Sequence, residues 1–85
     1  MTTAHDIARH CDFVKQMLLE KNAKYGDSAL APLRIFSQAN PTEQILVRID
    51  DKLSRIKSTK TDDEDVILDL IGYLVLLQIA RERNV

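Results

Sequence analysis

The chain has 85 residues, a formal net charge of −1 and a single cysteine, Cys11. That length leaves room for one hydrophobic core, so 1–85 reads as a single domain, and one cysteine excludes an internal disulfide framework. Acids and bases are intermixed with no basic excess or stripe, which argues against a protein that tracks a nucleic-acid polymer.

Aliphatic side chains dominate the hydrophobic 45%, aromatics make up 5%, and glycine and proline number two each, so the composition reads as all-α. A chain of this size buries only about 60–65% of the surface its unfolded form exposes. Without disulfides, homo-oligomerisation as a dimer or higher is the expected support. The expected architecture is three long helices plus a short helical turn, an antiparallel bundle completed by association between copies. Met1 to His10 has neither the basic start nor the apolar stretch of a signal peptide. The apolar run from Val66 is short for a bilayer and contains Asp69. The expectation is therefore a cytoplasmic protein with no membrane partner.

Thr3-Ala4-His5-Asp6 reads as a capping box for a first helix running to about Lys24. Ile7, Cys11, Val14 and Leu18 form its apolar stripe, widened by Phe13 and Met17, and Gly26 is placed to end it. Residues 27–39 are irregular around Pro32. Leu30, Leu33, Ile35 and Phe36 are too apolar for a solvated linker, so this segment is expected to pack across the helix ends.

Asn40-Pro41-Thr42-Glu43 combines an N-cap asparagine, a proline at the first helical position and a closing glutamate. The second helix should run to about Lys57, with Ile45, Leu46, Ile49, Leu53 and Ile56 as its apolar stripe. Arg48, Asp51, Lys52 and Arg55 fall on an adjoining stripe about 100° wide. Thr61-Asp62-Asp63-Glu64 is another capping box, and the short link before it favours two neighbouring antiparallel helices.

The third helix, Asp62 to Arg83, is apolar on nearly every side from Val66 to Ala80, interrupted by Asp69, Gly72 and Gln78. Such a helix is normally enclosed by others. An unpaired carboxylate inside it costs several kcal/mol, roughly, or takes up a proton. Asp69 is therefore expected to meet an arginine, a lysine or a metal ion, with the Arg48, Lys52 and Arg55 strip as the nearest supply and Arg48 or Arg55 as its partner if the pair is purely structural. Asp62, Asp65, Asp69 and Gly72 share one face of that helix, beside the basic strip of the helix before it.

Three constellations carry chemistry. Arg48, Lys52 and Arg55 around Asp51 fit phosphate oxygens, arginine as a fork and lysine as a point charge; the ordinary alternative is a solvated face with local salt bridges. Asp65 and Asp69, one turn apart, fit Mg²⁺ shared with substrate phosphates, with Asp51 as a third oxygen; the alternative is a helix-start acid and a structural ion pair. In Lys21-Asn22-Ala23-Lys24-Tyr25-Gly26-Asp27-Ser28, Tyr25 can stack on a base while Lys21 and Lys24 meet phosphates; Asp27 or Ser28 can equally cap the next turn. Gly72 suggests close approach by another helix, a symmetry mate or a flat ligand. His5 and His10 lack the spacing of a zinc pair, and Cys11 reads as a small core residue.

Taken together, K-x-x-K-Y-G-D-S, R-x-x-D-K-x-x-R and D-x-x-x-D-x-x-x-Y resemble the phage nucleotide-modification-associated domain of the first type, over roughly Lys21 to Leu77. That family is grouped with MazG-like all-α nucleoside triphosphate pyrophosphatases. The resemblance implies an oligomeric, phage- or prophage-borne protein acting on nucleotides in the host cytoplasm. In the wider superfamily, Mg²⁺-dependent hydrolysis of the α–β phosphoanhydride yields monophosphate and pyrophosphate.

Under that reading Lys21, Lys24, Tyr25, Asp27, Arg48, Lys52 and Arg55 bind ligand, and Asp51, Asp65 and Asp69 are the catalytic acids. Of these, Asp65 and Asp69 hold the metal. The acidic motif is incomplete: no E-x-x-E pair occurs on the first helix, and Val66 stands where the later glutamate belongs. Three functions stay open: a (deoxy)nucleoside triphosphate pyrophosphohydrolase, a non-catalytic nucleotide-sequestering protein, and a helical protein-interaction module.

Overall fold

The computed structural model of the chain describes residues 2–58 and 65–85. They form three helices, α1 (Thr3–Tyr25), α2 (Pro41–Ser58) and α3 (Val66–Arg83), and no strand. The all-α class follows from the sequence; some helix ends and much of the packing differ from expectation.

The cap of α1 is Thr2, whose hydroxyl accepts the His5 N–H at 3.1 Å, one residue before the expected Thr3. At the other end the Gly26 N–H donates to the Asn22 carbonyl at 2.8 Å. Gly26 has φ +68° and ψ −155°, a region closed to residues with a Cβ. The chain then makes one turn, in which the Asp27 carbonyl accepts the N–H groups of Leu30 and Ala31.

Of residues 27–39 only Leu30, within that turn, packs against the core. Leu33, Ile35 and Phe36 do not pack across the helix ends as expected; Phe36 is as exposed as a side chain can be, at 102%. The loop closes on itself instead. The Arg34 guanidinium donates to the Gln38 carbonyl at 2.6 Å, and the Gln38 amide donates to the Arg34 carbonyl at 2.9 Å.

The start of α2 is as expected, with the Asn40 carboxamide oxygen accepting the Glu43 N–H at 2.8 Å. Its buried seam is narrower than expected. Ile45 and Ile49 are buried, Ile56 is half-buried, and Leu46 and Leu53 are exposed. At 100° per residue Lys52 falls in the same seam as these isoleucines, and it is buried with them.

The first residue of α3 is Val66, preceded by Asp65 as N-cap, whose carboxylate accepts the Leu68 N–H at 2.9 Å. The expected capping box at residues 61–64, Asp62 included, lies outside the described residues. Asn84 closes α3 in the left-handed region, and the Thr42 hydroxyl donates to the Val85 carbonyl, tying the end of α3 to the start of α2.

α2 packs along α3 around Ile45, Ile49 and Ala80, with Leu70, Tyr73, Leu76 and Leu77 against them. Among the described residues α1 packs on α3 and not on α2, and none of its own residues is buried. Cys11 is exposed rather than in the core. Nor is α3 enclosed on nearly all sides. Ile67, Ile71, Leu74 and Val75, which lie within about 100° of one another around the helix, are exposed. With α1 held only near its C-terminal end, too few helices surround α3 to cover that stripe. The chain exposes 6656 Å², against about 5,100 Å² for a compact folded chain of its mass. Its radius of gyration is 14.3 Å, against about 12 Å for a compact domain.

Candidate functional site

Between the end of α1, the turn after it, and the α2–α3 pair, the fold leaves a cavity of about 330 Å³. Its formation follows from the two features just described. Gly26 turns the chain after α1, so that residues 26–30 line one side of the cavity. Gly72 lets α1 come close to α3, since a Cβ there would stand 3.2 Å from Leu18 Cδ2 and 3.4 Å from Met17 Cε. The close approach suggested for Gly72 is therefore made by α1.

Five residues singled out from the sequence line this cavity: Lys21, Tyr25, Asp27, Arg48 and Asp69. Asp69 is half-buried, its side chain 21% exposed, and its two oxygens face cations from two different helices. Lys21 Nζ of α1 is 3.5 Å from Oδ1, and Lys52 Nζ of α2, 11% exposed, is 3.7 Å from Oδ2. The expectation of a cation opposite Asp69 holds, and one partner, Lys52, comes from the expected strip; the structural pairing with Arg48 or Arg55 is replaced by Lys52 and Lys21. The reason is register. Lys52 lies in the α2–α3 seam at the level of Asp69, whereas Arg48, one turn away, lies over the ring of Tyr73 with its guanidinium carbon 5.8 Å from the centroid. Lys24 lies likewise over Tyr25, its Nζ 5.2 Å from the centroid. Each aromatic ring at the cavity thus carries a cation on one face, a contact worth about 0.5–1 kcal/mol at an exposed site.

The other predicted acids have different partners. Asp51 is exposed and pairs with Arg55 one turn on, at 3.3 Å. Asp65 caps its own helix and stands outside it, so it does not share a helical face with Asp69. The described residues contain no group of three His, Cys, Asp or Glu side chains placed to hold a metal ion. Among the described residues no such donor set for a resident Mg²⁺ converges.

Two residues were given no role from sequence. Tyr73 forms part of the cavity wall; its signal was its position one turn beyond Asp69. Asn22 donates from Nδ2 to Asp27 Oδ1 at 2.8 Å and holds that carboxylate against the end of α1. Nothing in the spacing pointed to this, because the bond exists only once Gly26 has turned the chain.

Gly72 offers a direct test of the wall. Gly72→Ala is expected to change stability by less than about 1 kcal/mol, because the atoms met are flexible side-chain ends and the helix gains propensity. Gly72→Leu is expected to cost about 1–3 kcal/mol by forcing α1 away. Urea unfolding of both variants checks this, and equal stabilities would remove the close-approach argument.

No family model, curated protein or solved structure matches the chain. Among the described residues no helix is long and apolar enough to cross a membrane.

Proposed function

We propose that the chain is a nucleotide-binding protein whose ligand occupies the cavity between α1, the 26–30 turn and the α2–α3 pair. One observation carries this reading: a single cavity gathers Lys21, Arg48, Tyr25 and Tyr73 from three separate helices. Cations beside aromatic faces answer the two halves of a nucleotide, its phosphates and its base. Lys24 adds a cation through its place over Tyr25, and Lys52 acts indirectly by holding Asp69; Arg55 pairs with Asp51 and does not line the cavity.

Binding without turnover is the form we favour. Asp51 and Asp65 are committed to Arg55 and to a helix cap, and water activation needs a carboxylate aimed at the water. Mg²⁺ then arrives only as a companion of the ligand's phosphates. The resemblance to phage nucleotide-modification-associated and MazG-like proteins belongs to the same proposal, as does a host-cytoplasmic setting.

We also place homo-oligomerisation here, as an antiparallel bundle completed by a second copy. Its support is the surface surplus, roughly 1,500 Å² per chain by the size scaling, which is of the order an obligate dimer buries per subunit. The pairing of Arg48 with Tyr73 and Lys52 with Asp69 fits α2 and α3 running in opposite directions.

The test is calorimetric titration of ribonucleoside triphosphates and dinucleotides in Mg²⁺, followed by chromatography of the recovered ligand. Binding is expected, weakened about tenfold or more in Arg48→Ala, with the ligand returned intact. Release of monophosphate and pyrophosphate would instead establish the pyrophosphohydrolase. If no nucleotide binds, the interaction-module reading gains, and Leu33, Ile35 and Phe36 on the open loop are the observation that favours it.

A further inference from the structure

A nucleotide presents three kinds of surface: anionic phosphates, an aromatic base, and a sugar whose hydroxyls donate hydrogen bonds. The cavity answers the first two with cations and rings. It also contains two carboxylates, Asp69 and Asp27, whose charge is the wrong sign for phosphate. Asp69 is accounted for by Lys21 and Lys52. Among the described residues Asp27 forms no ion pair; its Oδ1 accepts from the Asn22 amide at 2.8 Å, and its other oxygen is left for a ligand.

That carboxylate is held in place. Gly26, in its glycine-only conformation, folds the chain back so that Asp27 meets the last turn of α1. The Asn22 amide nitrogen spans both residues, reaching the Gly26 carbonyl at 3.4 Å as well. An ionised carboxylate accepts and never donates. Asp27 lines the same cavity as Tyr25, Tyr73, Lys21 and Arg48, so in a nucleotide bound there it faces a hydrogen-bond donor, not a phosphate. The sugar hydroxyls are such donors.

We propose that Asp27 is a specificity-determining residue that accepts the 2′- and 3′-hydroxyls of a ribose, so that the site selects ribonucleotides over deoxyribonucleotides. This rests on the nucleotide reading of the cavity and deepens it. Hydroxyl-to-carboxylate bonds are charge-assisted and among the stronger neutral-to-ion contacts. The same acceptor could take N–H donors from the edge of a base, and the experiment separates the two sources.

The wild-type chain is titrated calorimetrically with ATP, GTP, CTP and UTP, then with the 2′-deoxy and 2′,3′-dideoxy form of each. Loss of each hydroxyl is expected to weaken binding about tenfold. Asp27→Asn keeps the shape and removes the charge; it is expected to bind the three sugars within about twofold of one another. Equal wild-type affinity for all three sugars overturns the proposal and leaves the nucleotide reading standing. So does an affinity order that follows the base and ignores the sugar, or an unchanged sugar preference in Asp27→Asn. Absence of binding by any of the twelve overturns both. If Asp27→Asn does not fold, the wild-type sugar series alone decides.

Discussion

Asp69→Ala is expected to lower the stability of the chain by about 2 kcal/mol. The carboxylate connects three helices: it sits in the first turn of α3, takes Lys52 from the seam of α2, and takes Lys21 from α1. Breaking a fully buried pair costs about 3–5 kcal/mol because the surviving charge is stranded. The loss here is smaller because Asp69 keeps 21% of its side-chain exposure and Lys52 retains a further interaction. Asp69→Asn, which preserves shape but not charge, should show about half that loss. Urea unfolding followed by circular dichroism measures both. A change below about 0.5 kcal/mol in Asp69→Ala would place the pair among ordinary surface salt bridges and remove the physical reason given for an acid inside an apolar helix.

In solution the chain is expected to have a mass at least twice its own 9.7 kDa, and Ile71→Arg with Leu74→Arg is expected to reduce it to one chain. Both residues lie in the exposed stripe of α3. Among the described residues only Ile45, Ile49, Val66 and Ala80 are buried hydrophobics, too little for a small domain to stand alone comfortably. In the proposed dimer, burial of the α3 stripe together with the exposed Ile7 and Phe13 of α1 would supply what is missing. Two arginines in that interface would be desolvated without partners, which costs several kcal/mol, roughly. Light scattering on both proteins decides the matter; a monomeric wild type, or a double variant that stays associated, excludes this face.

How much of this was legible beforehand depended on how local the cause was. The start of α2 was readable because Asn40, Pro41 and Glu43 settle it among themselves within one turn. The start of α3 was not: several consecutive acids can each cap a helix, and the cap among the described residues is Asp65. Helical angles alone put Lys52 in line with Ile45 and Ile49, yet a charge is normally assigned to the solvent side. Its burial makes sense only with Asp69 opposite. The contact between Asn22 and Asp27 escaped notice because it needs a glycine turn whose angles no spacing rule specifies.

The amino-acid order by itself determined that the chain is helical, where α1 ends and α2 begins, and that Asp69 needs a positive neighbour, because capping, periodicity and the cost of a stranded charge act over a few residues. Which cation answers, that Arg48 lies over Tyr73, that Leu33, Ile35 and Phe36 stay in solvent, and that a cavity opens beside Gly72 were decided by the packing of α1 and α2 on α3. Those outcomes depend on the relative register of helices distant in sequence, and shifting one helix by a single turn past another would exchange Lys52 for Arg48 opposite Asp69.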